Sequence, residues 1–237
     1  MRAALVQLNV TDLPEENLPV TLSLIDRAVA GGAEFVLTPE VTNCISTDRA
    51  HQRAVLRHEE DDPTHAALRT RAREHGIWLL IGSLALLTHD PDGRFANRSF
   101  LITPEGEIAA RYDKIHMFDV DLASGESWRE SNAYEAGRDI VTVEDTPIGR
   151  LGLAVCYDMR FPALFGALGD RACDAIAIPA AFTRPTGEAH WHVLLRARAI
   201  EAQAFVIAAA QVGCHEDGRE TYGHSLVVDP WGEVLDR

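Results

Sequence analysis

Lysine is nearly absent from this 237-residue chain: Lys114 is the only one among 22 basic residues. A position that keeps lysine where every other cation is arginine points to a compact ammonium site that a planar guanidinium cannot fill. A basic excess is missing too. The formal net charge is −14, which argues against nucleic acid and anionic membranes as partners but allows a locally basic pocket. No apolar run approaches membrane-spanning length. The opening "MRAALVQLNVTDLPEEN" carries no cleavage-site pattern of a secretory signal. The four cysteines, Cys44, Cys156, Cys173 and Cys214, form no CxxC pair. Their spacing argues against structural zinc and makes a reducing cytoplasm the expected setting. No Ser/Pro/Gly-rich linker interrupts the chain, so one domain over residues 1–237 is expected.

What is present suffices for a substantial core, since 46% of the residues are hydrophobic. Residues 1–10 read as a strand, and 15–30 as a helix stopped by Gly31 and Gly32. "EFVLTPEV" is a second strand, 63–75 a helix ended by Gly76, and "IWLLIGS" a third strand. "RFANRSFLITPEGEIAARYD" has the pattern of a hairpin turning at 104–107. Strands follow at 140–143 and 151–155, then a helix after Cys156 and the strand "DAIAIPAA". A long helix over 188–204, the strand "FVIAAAQ" and a hairpin in "GHSLVVDPWGEVLD" complete the chain. Strands alternating with helices but interrupted by hairpins predict α/β architecture with mixed sheets.

Three reactive side chains share one kind of location. Glu40 lies at the end of the second strand, Lys114 just past the hairpin, and Cys156 where a strand hands over to a helical segment. Sites in open α/β sheets collect at strand ends. Unpaired N–H groups at a helix start favour a thiolate or an oxyanion there. A cysteine nucleophile also needs a base, which a carboxylate can be if a dry pocket raises its pKa. An ammonium together with the N–H of Tyr157 can receive a developing oxyanion. Taken singly, each residue also has an ordinary reading: an exposed glutamate, a surface lysine, a buried core thiol.

The segments "FVLTPE", "YDKIHMFD" and "LAVCYDMRFPAL" resemble, in order, the three signature segments of the nitrilase superfamily of carbon–nitrogen hydrolases. "AHWHVLLRARAIEAQAFVIAAAQ" and "YGHSLVVDPWGEVL" extend the resemblance over almost the whole chain. It implies a four-layer αββα sandwich with mixed sheets and an amidase that cleaves a non-peptide C–N bond through a cysteine acyl-enzyme. Glu40 would be the general base, Lys114 the oxyanion stabiliser and Cys156 the nucleophile. A second glutamate, matched best by Glu130 and less well by Glu126, would orient the lysine. The resemblance implies no cofactor and no metal, a small-molecule amide as substrate, and a homodimer formed through the helices after Cys156 and before Phe205, or a higher homo-oligomer. Members of the superfamily normally continue beyond "DPWGEVL", so a C-terminal tail is expected to be lacking here.

The last segments are most similar to the branch whose substrates are amides of α-keto acids. Such substrates carry carboxylates, for which Tyr157, Arg160, Thr183, Arg184 and Thr186 are the candidate binding residues. Nitrile, carbamoyl and acyl-transfer branches share the same catalytic set, and a catalytically silent binding homologue is the reading from another class. Ten histidines invite a metal site, but His190 and His192 stand two apart on a predicted helix and point to different faces. A Cys–His pair using His116 or His224 has no supporting motif.

Overall fold

The computed structural model describes residues 1–121, 125 and 127–236. The first half builds β1 (Ala3–Leu5), α1 (Pro14–Ala30), β2 (Phe35–Leu37), α2 (Arg49–Val55), α3 (Pro63–His75), β3 (Trp78–Leu87), β4 (Phe95–Ile102) and β5 (Ile108–Asp113). The strands form one five-stranded sheet in the order β1-β2-β3-β4-β5, parallel as far as β3 and antiparallel beyond it. A small hairpin follows, β6 (Asp119–Asp121) with β7 (Ser127–Arg129). The second half supplies β8 (Thr142–Thr146), β9 (Gly149–Leu153), α4 (Pro162–Asp170), β10 (Ala175–Ala177), α5 (Arg184–Ala202) and β11 (Phe205–Ala208). A second small hairpin, β12 (Val212–Cys214) with β13 (Glu220–Tyr222), precedes β14 (Leu226–Val228) and β15 (Val234–Asp236). The six-stranded sheet runs β15-β14-β11-β10-β9-β8 and is also mixed.

Side-chain alternation stacks the two sheets. Phe35, Leu37, Leu80 and Leu101 belong to the apolar cluster shared with the second sheet. Their neighbours Val36, Leu79, Ile81, Phe100 and Ile102 face the other way, onto Ile25 of α1 and Leu68 and Ala72 of α3. Burial on both faces explains why these strands read as nearly unbroken apolar runs. On the far side, Leu164, Phe165 and Leu168 of α4 and Trp191, Leu195 and Ala199 of α5 cover the second sheet. Trp191 is fully buried, and truncating such a side chain typically costs about 3–5 kcal/mol. The layers are therefore α-β-β-α.

The expected elements recur with shifted ends. α3 spans 63–75 as read, because Asp62 caps it through His65 N and Gly76 ends it in the left-handed region. The first strand is only Ala3–Leu5 rather than 1–10. The long helix begins at Arg184 rather than 188, with Pro185 in its first turn. After Cys156 the chain makes a five-residue 3₁₀ turn, and the α-helix starts only at Pro162. The helix-start field expected at the thiol is thus displaced by six residues.

Candidate active site

Glu40 follows β2 in a loop clamped by an irregularity in β3. Gly82 N donates to Thr38 Oγ1 at 3.0 Å, Ser83 N to Pro39 O at 3.2 Å and Val41 N to Ser83 Oγ at 2.8 Å. A Cβ on Gly82 would stand 2.0 Å from Thr38 O and 2.6 Å from Pro179 Cβ, so only glycine lets this loop and the second sheet come so close. Lys114 follows β5 directly. Its N–H donates to Asn97 O at 3.0 Å and its carbonyl accepts from Gly137 N at 2.8 Å. Cys156 follows β9, with its N–H donated to Pro179 O at 2.9 Å. The first sheet thus supplies Glu40 and Lys114, and the second supplies Cys156.

These side chains converge. Lys114 Nζ donates to Glu40 Oε1 at 2.9 Å and to both oxygens of Glu130 at 2.9 Å. Glu130, in the short turn after β7, also accepts from Phe118 N at 2.6 Å. Glu40 accepts from Asn97 Nδ2 at 2.9 Å and from Ala181 N at 2.7 Å, and the Cys156 thiol lies within its hydrogen-bonding reach. Glu40 and Lys114 are 4% and 2% exposed. Glu126 lies outside the described residues.

Backbone strain marks the site. Cys156 has φ 49° and Val41, next to Glu40, has φ 45°. A β-branched residue in the left-handed region persists only where its surroundings over-determine it, and such strain clusters at functional sites.

The electrostatics differ from expectation in one respect. Burial pushes the Glu40 carboxyl up, but the Lys114 charge and the hydrogen bonds from Lys114, Cys156 and Asn97 outweigh it and hold the pKa below the ordinary value. The dry pocket therefore does not raise this carboxylate, because it encloses a cation as well. Burial would lower Lys114, yet Glu130 and Glu40 hold it well above its ordinary range. The Cys156 thiol is raised well above its usual value, first by burial and then by the Glu40 charge. The resting site is a carboxylate, an ammonium and a neutral thiol.

All four residues open onto a cavity of about 590 Å³, which Tyr157, Thr183 and Thr186 also line. The two threonine hydroxyls are 2.7 Å apart and bonded to each other. Arg160 and Arg184 are not among its lining residues. Arg160 sits 5.8 Å over Tyr157 and 5.4 Å over Phe182, one layer behind the wall, and its Nη2 meets His190 at 3.2 Å. Arg184 is drawn to the surface by Glu188 and Glu220. His116 is bonded to Asp158 and stacked on Phe161, and His224 bonds Tyr222 O. Neither lines the cavity. Among the described residues, no three His, Cys, Asp or Glu side chains cluster as metal ligands. No described helix is long and apolar enough to cross a membrane.

Sequence reasoning missed several participants. Asn97 could have been suspected as a polar residue inside the apolar hairpin "FANRSFLI". Buried Asp158 accepts from Val155 N, Tyr112 Oη and His116 N at 2.8, 2.6 and 2.9 Å. Its proximity to Cys156 was the available signal. Arg49, Arg129 and Arg219 line the cavity, and nothing in their local sequence singles them out.

A mixed αββα sandwich with a thiol, a buried carboxylate and an ammonium at its strand ends is the framework of a cysteine-dependent C–N hydrolase. The chain belongs to the carbon–nitrogen hydrolase family, whose profile matches residues 2–237. It is 43% identical over 224 residues to a deaminated glutathione amidase of Yersinia enterocolitica, covering 93% of this chain and 78% of that protein. The Caenorhabditis elegans NitFhit structure superposes with a TM-score of 0.87 at 38% identity, over 98% of this chain and 56% of that one. A mutant amidase of Nesterenkonia sp. AN1, with acrylamide added at its active-site cysteine, superposes with a TM-score of 0.82 at 26% identity, over 99% of this chain and 87% of that one.

Proposed function

We propose that this carbon–nitrogen hydrolase cleaves deaminated glutathione, with Cys156 as nucleophile, Glu40 as base, Lys114 as oxyanion donor and Glu130 orienting the lysine. The observation that carries the chemistry is the Lys114 ammonium shared between Glu40 and Glu130 beside the Cys156 thiol. The substrate is supported by the relative at 43% identity that bears that name. A cavity of about 590 Å³ suits a peptide-sized ligand.

The thiol sulfur adds to the amide carbonyl as Glu40 takes its proton. Lys114 Nζ and the Tyr157 N–H receive the oxyanion. As negative charge grows near Lys114, the ammonium is less fully committed to Glu40, whose basicity rises when the proton moves. Glu40 then protonates the departing nitrogen and the C–N bond breaks, leaving a thioester on Cys156. Water adds to the thioester and gives a proton to Glu40. Collapse releases the carboxylic acid, and the proton returns to the sulfur.

Intact-mass measurement during turnover should show the acyl adduct on Cys156; an adduct on Cys44, Cys173 or Cys214 overturns the scheme. In a side-by-side assay, deaminated glutathione should yield α-ketoglutarate and cysteinylglycine, with slower α-ketoglutaramate hydrolysis. Preference for a nitrile or a carbamoyl amino acid overturns the substrate while leaving the chemistry standing.

The four free cysteines support a reducing, cytoplasmic setting. Exposed Val193 and Ile200 on α5, with Trp231 84% exposed, support pairing into a homodimer. Sedimentation of wild type against Val193→Glu tests this, and a monomeric wild type overturns it.

A further inference from the structure

Three N–H donors in the cavity wall lack an acceptor among the described residues: Arg49 Nε, Trp128 Nε1 and Arg219 Nε are buried without a hydrogen-bond partner there. They come from α2, β7 and the turn between β12 and β13, yet all three residues line the cavity that holds Cys156. Unsatisfied buried donors are uncommon in native proteins and call for an explanation. Arginine and tryptophan side chains can only donate, so the missing partner is an acceptor.

The charges point the same way. Arg49 has no acid within ion-pair distance among the described residues; Asp92 feels its charge from further away. Its guanidinium reaches Gly93 O at 3.5 Å and stands 6.0 Å over Phe95. Arg219 lies 4.7 Å over the Trp128 ring and 3.4 Å from Asp217 Oδ2, an atom that itself lacks a hydrogen bond. Arg129 differs, because both oxygens of Asp121 hold it at 2.8 Å. Among the described residues, Arg49 and Arg219 thus have one acid partner between them, Asp217 on Arg219, leaving a positive balance here in a protein of net charge −14.

We propose that Arg49 and Arg219, with Trp128, form a carboxylate seat that binds the substrate away from the scissile bond. This rests on the amidase reading above and adds the residues that would select anionic amides. A carboxylate fits better than a neutral oxygen, because its two oxygens offer about four acceptor positions and guanidinium binds it in bidentate geometry. Docking it there anchors the substrate by its remote end and raises the effective concentration of the amide at Cys156.

The test compares three substrates in wild type, Arg49→Gln, Arg219→Gln and the surface control Arg71→Gln: deaminated glutathione, its C-terminal amide, which lacks the glycine carboxylate, and propionamide. The readout is the ratio of kcat/KM for deaminated glutathione to that for propionamide. It should fall at least tenfold in each seat variant, mainly through KM, and stay unchanged in Arg71→Gln. If the C-terminal amide already shows the low ratio in wild type and loses nothing further, the seat holds the glycine carboxylate. If it keeps the wild-type ratio and falls with the variants, the seat holds the α-keto acid carboxylate. Calorimetric binding of the two products to Cys156→Ala, with and without Arg49→Gln, gives a second readout independent of turnover. An unchanged ratio and unchanged product binding in the variants overturn the seat alone. A wild type that prefers propionamide overturns the substrate reading instead.

Discussion

Asp158 Oδ2 accepts a 2.6 Å hydrogen bond from the Tyr112 hydroxyl, joining β5, which ends at Asp113 just before Lys114, to the turn that begins at Cys156. The same carboxylate takes Val155 N at 2.8 Å and, through Oδ1, His116 N at 2.9 Å. The chain on either side of Lys114, through the Tyr112 side chain and His116 N, and the backbone just before Cys156 are therefore pinned to one buried group. In Asp158→Ala the freed donors have no water to turn to, each costing about 1–3 kcal/mol. Urea unfolding should show a loss of several kcal/mol. In Asp158→Asn kcat/KM should drop at least tenfold, because an amide cannot accept at both oxygens. Wild-type stability and rate in both variants would remove this residue from the positioning scheme.

Lys114→Arg should lose about 4 kcal/mol of transition-state stabilisation, roughly a thousandfold in kcat/KM, although the charge is kept. The ammonium meets Glu40 and Glu130 at 2.9 Å in a buried site. A planar fork is larger and cannot place one donor on each acid and still address the substrate. Glu40→Gln should be similarly impaired, since an amide takes no proton from the thiol. Near-normal kcat in either folded variant contradicts the mechanism.

Stability should form a plateau bounded by the site's own groups. Glu40 is depressed in the fold, so its contribution is complete above its ordinary value of 4.5 and is lost as pH falls through the lower folded value. Lys114 and Cys156 are raised, so theirs are complete below 10.5 and 9.0 respectively and are lost as pH rises beyond them. Denaturation midpoints should therefore decline above pH 9, and Cys156→Ala should lessen that decline. A midpoint that rises between pH 9 and 10 contradicts the assignment.

The neutral thiol also sets its reactivity. Alkylation of Cys156 by iodoacetamide should be nearly flat between pH 6 and 8, because Glu40 is already ionised there and takes the proton of the neutral thiol during attack. A rate climbing about tenfold per pH unit would mean attack through a thiolate formed without Glu40. Glu40→Gln should slow it, since the base acts during attack. A sigmoid centred near pH 6 would indicate a pre-formed thiolate.

Gly82→Ala should cost about 3 kcal/mol or more, because its Cβ would stand 2.0 Å from Thr38 O and 2.5 Å from Pro39 O. The loop holding Glu40 would have to move, so activity should fall with stability. Gly166→Ala, on the exposed side of α4 with nothing near its Cβ, should stabilise by up to about 1 kcal/mol. Thermal unfolding of the two variants checks both signs.

By itself the sequence determined whatever depends on local chemistry. α3 was legible because Asp62, Pro63 and Gly76 act within a few residues. The β4–β5 hairpin was legible from its turn residues, and the strand ends bearing Glu40, Lys114 and Cys156 from where the apolar runs stop. Short elements escaped. α2 has the polar sequence RAHQRAV with no apolar stripe, and β6, β7, β12 and β13 are three residues each. Such pieces take their conformation from what they pack against.

Tertiary structure alone decided the electrostatics and the shape of the cavity. Whether burial raises or lowers Glu40 depends on the cation enclosed with it, and Lys114 is 74 residues away along the chain. Arg160 and Arg184 stand near Cys156 and Thr183 in sequence, yet side chains on 3₁₀ turns and helix starts fan outward, and both leave the cavity wall. Arg49 and Arg219 share that wall although they belong to opposite halves of the chain. Sequence proximity records which groups are covalent neighbours; which groups share one low-dielectric space is fixed only when the two sheets close on each other.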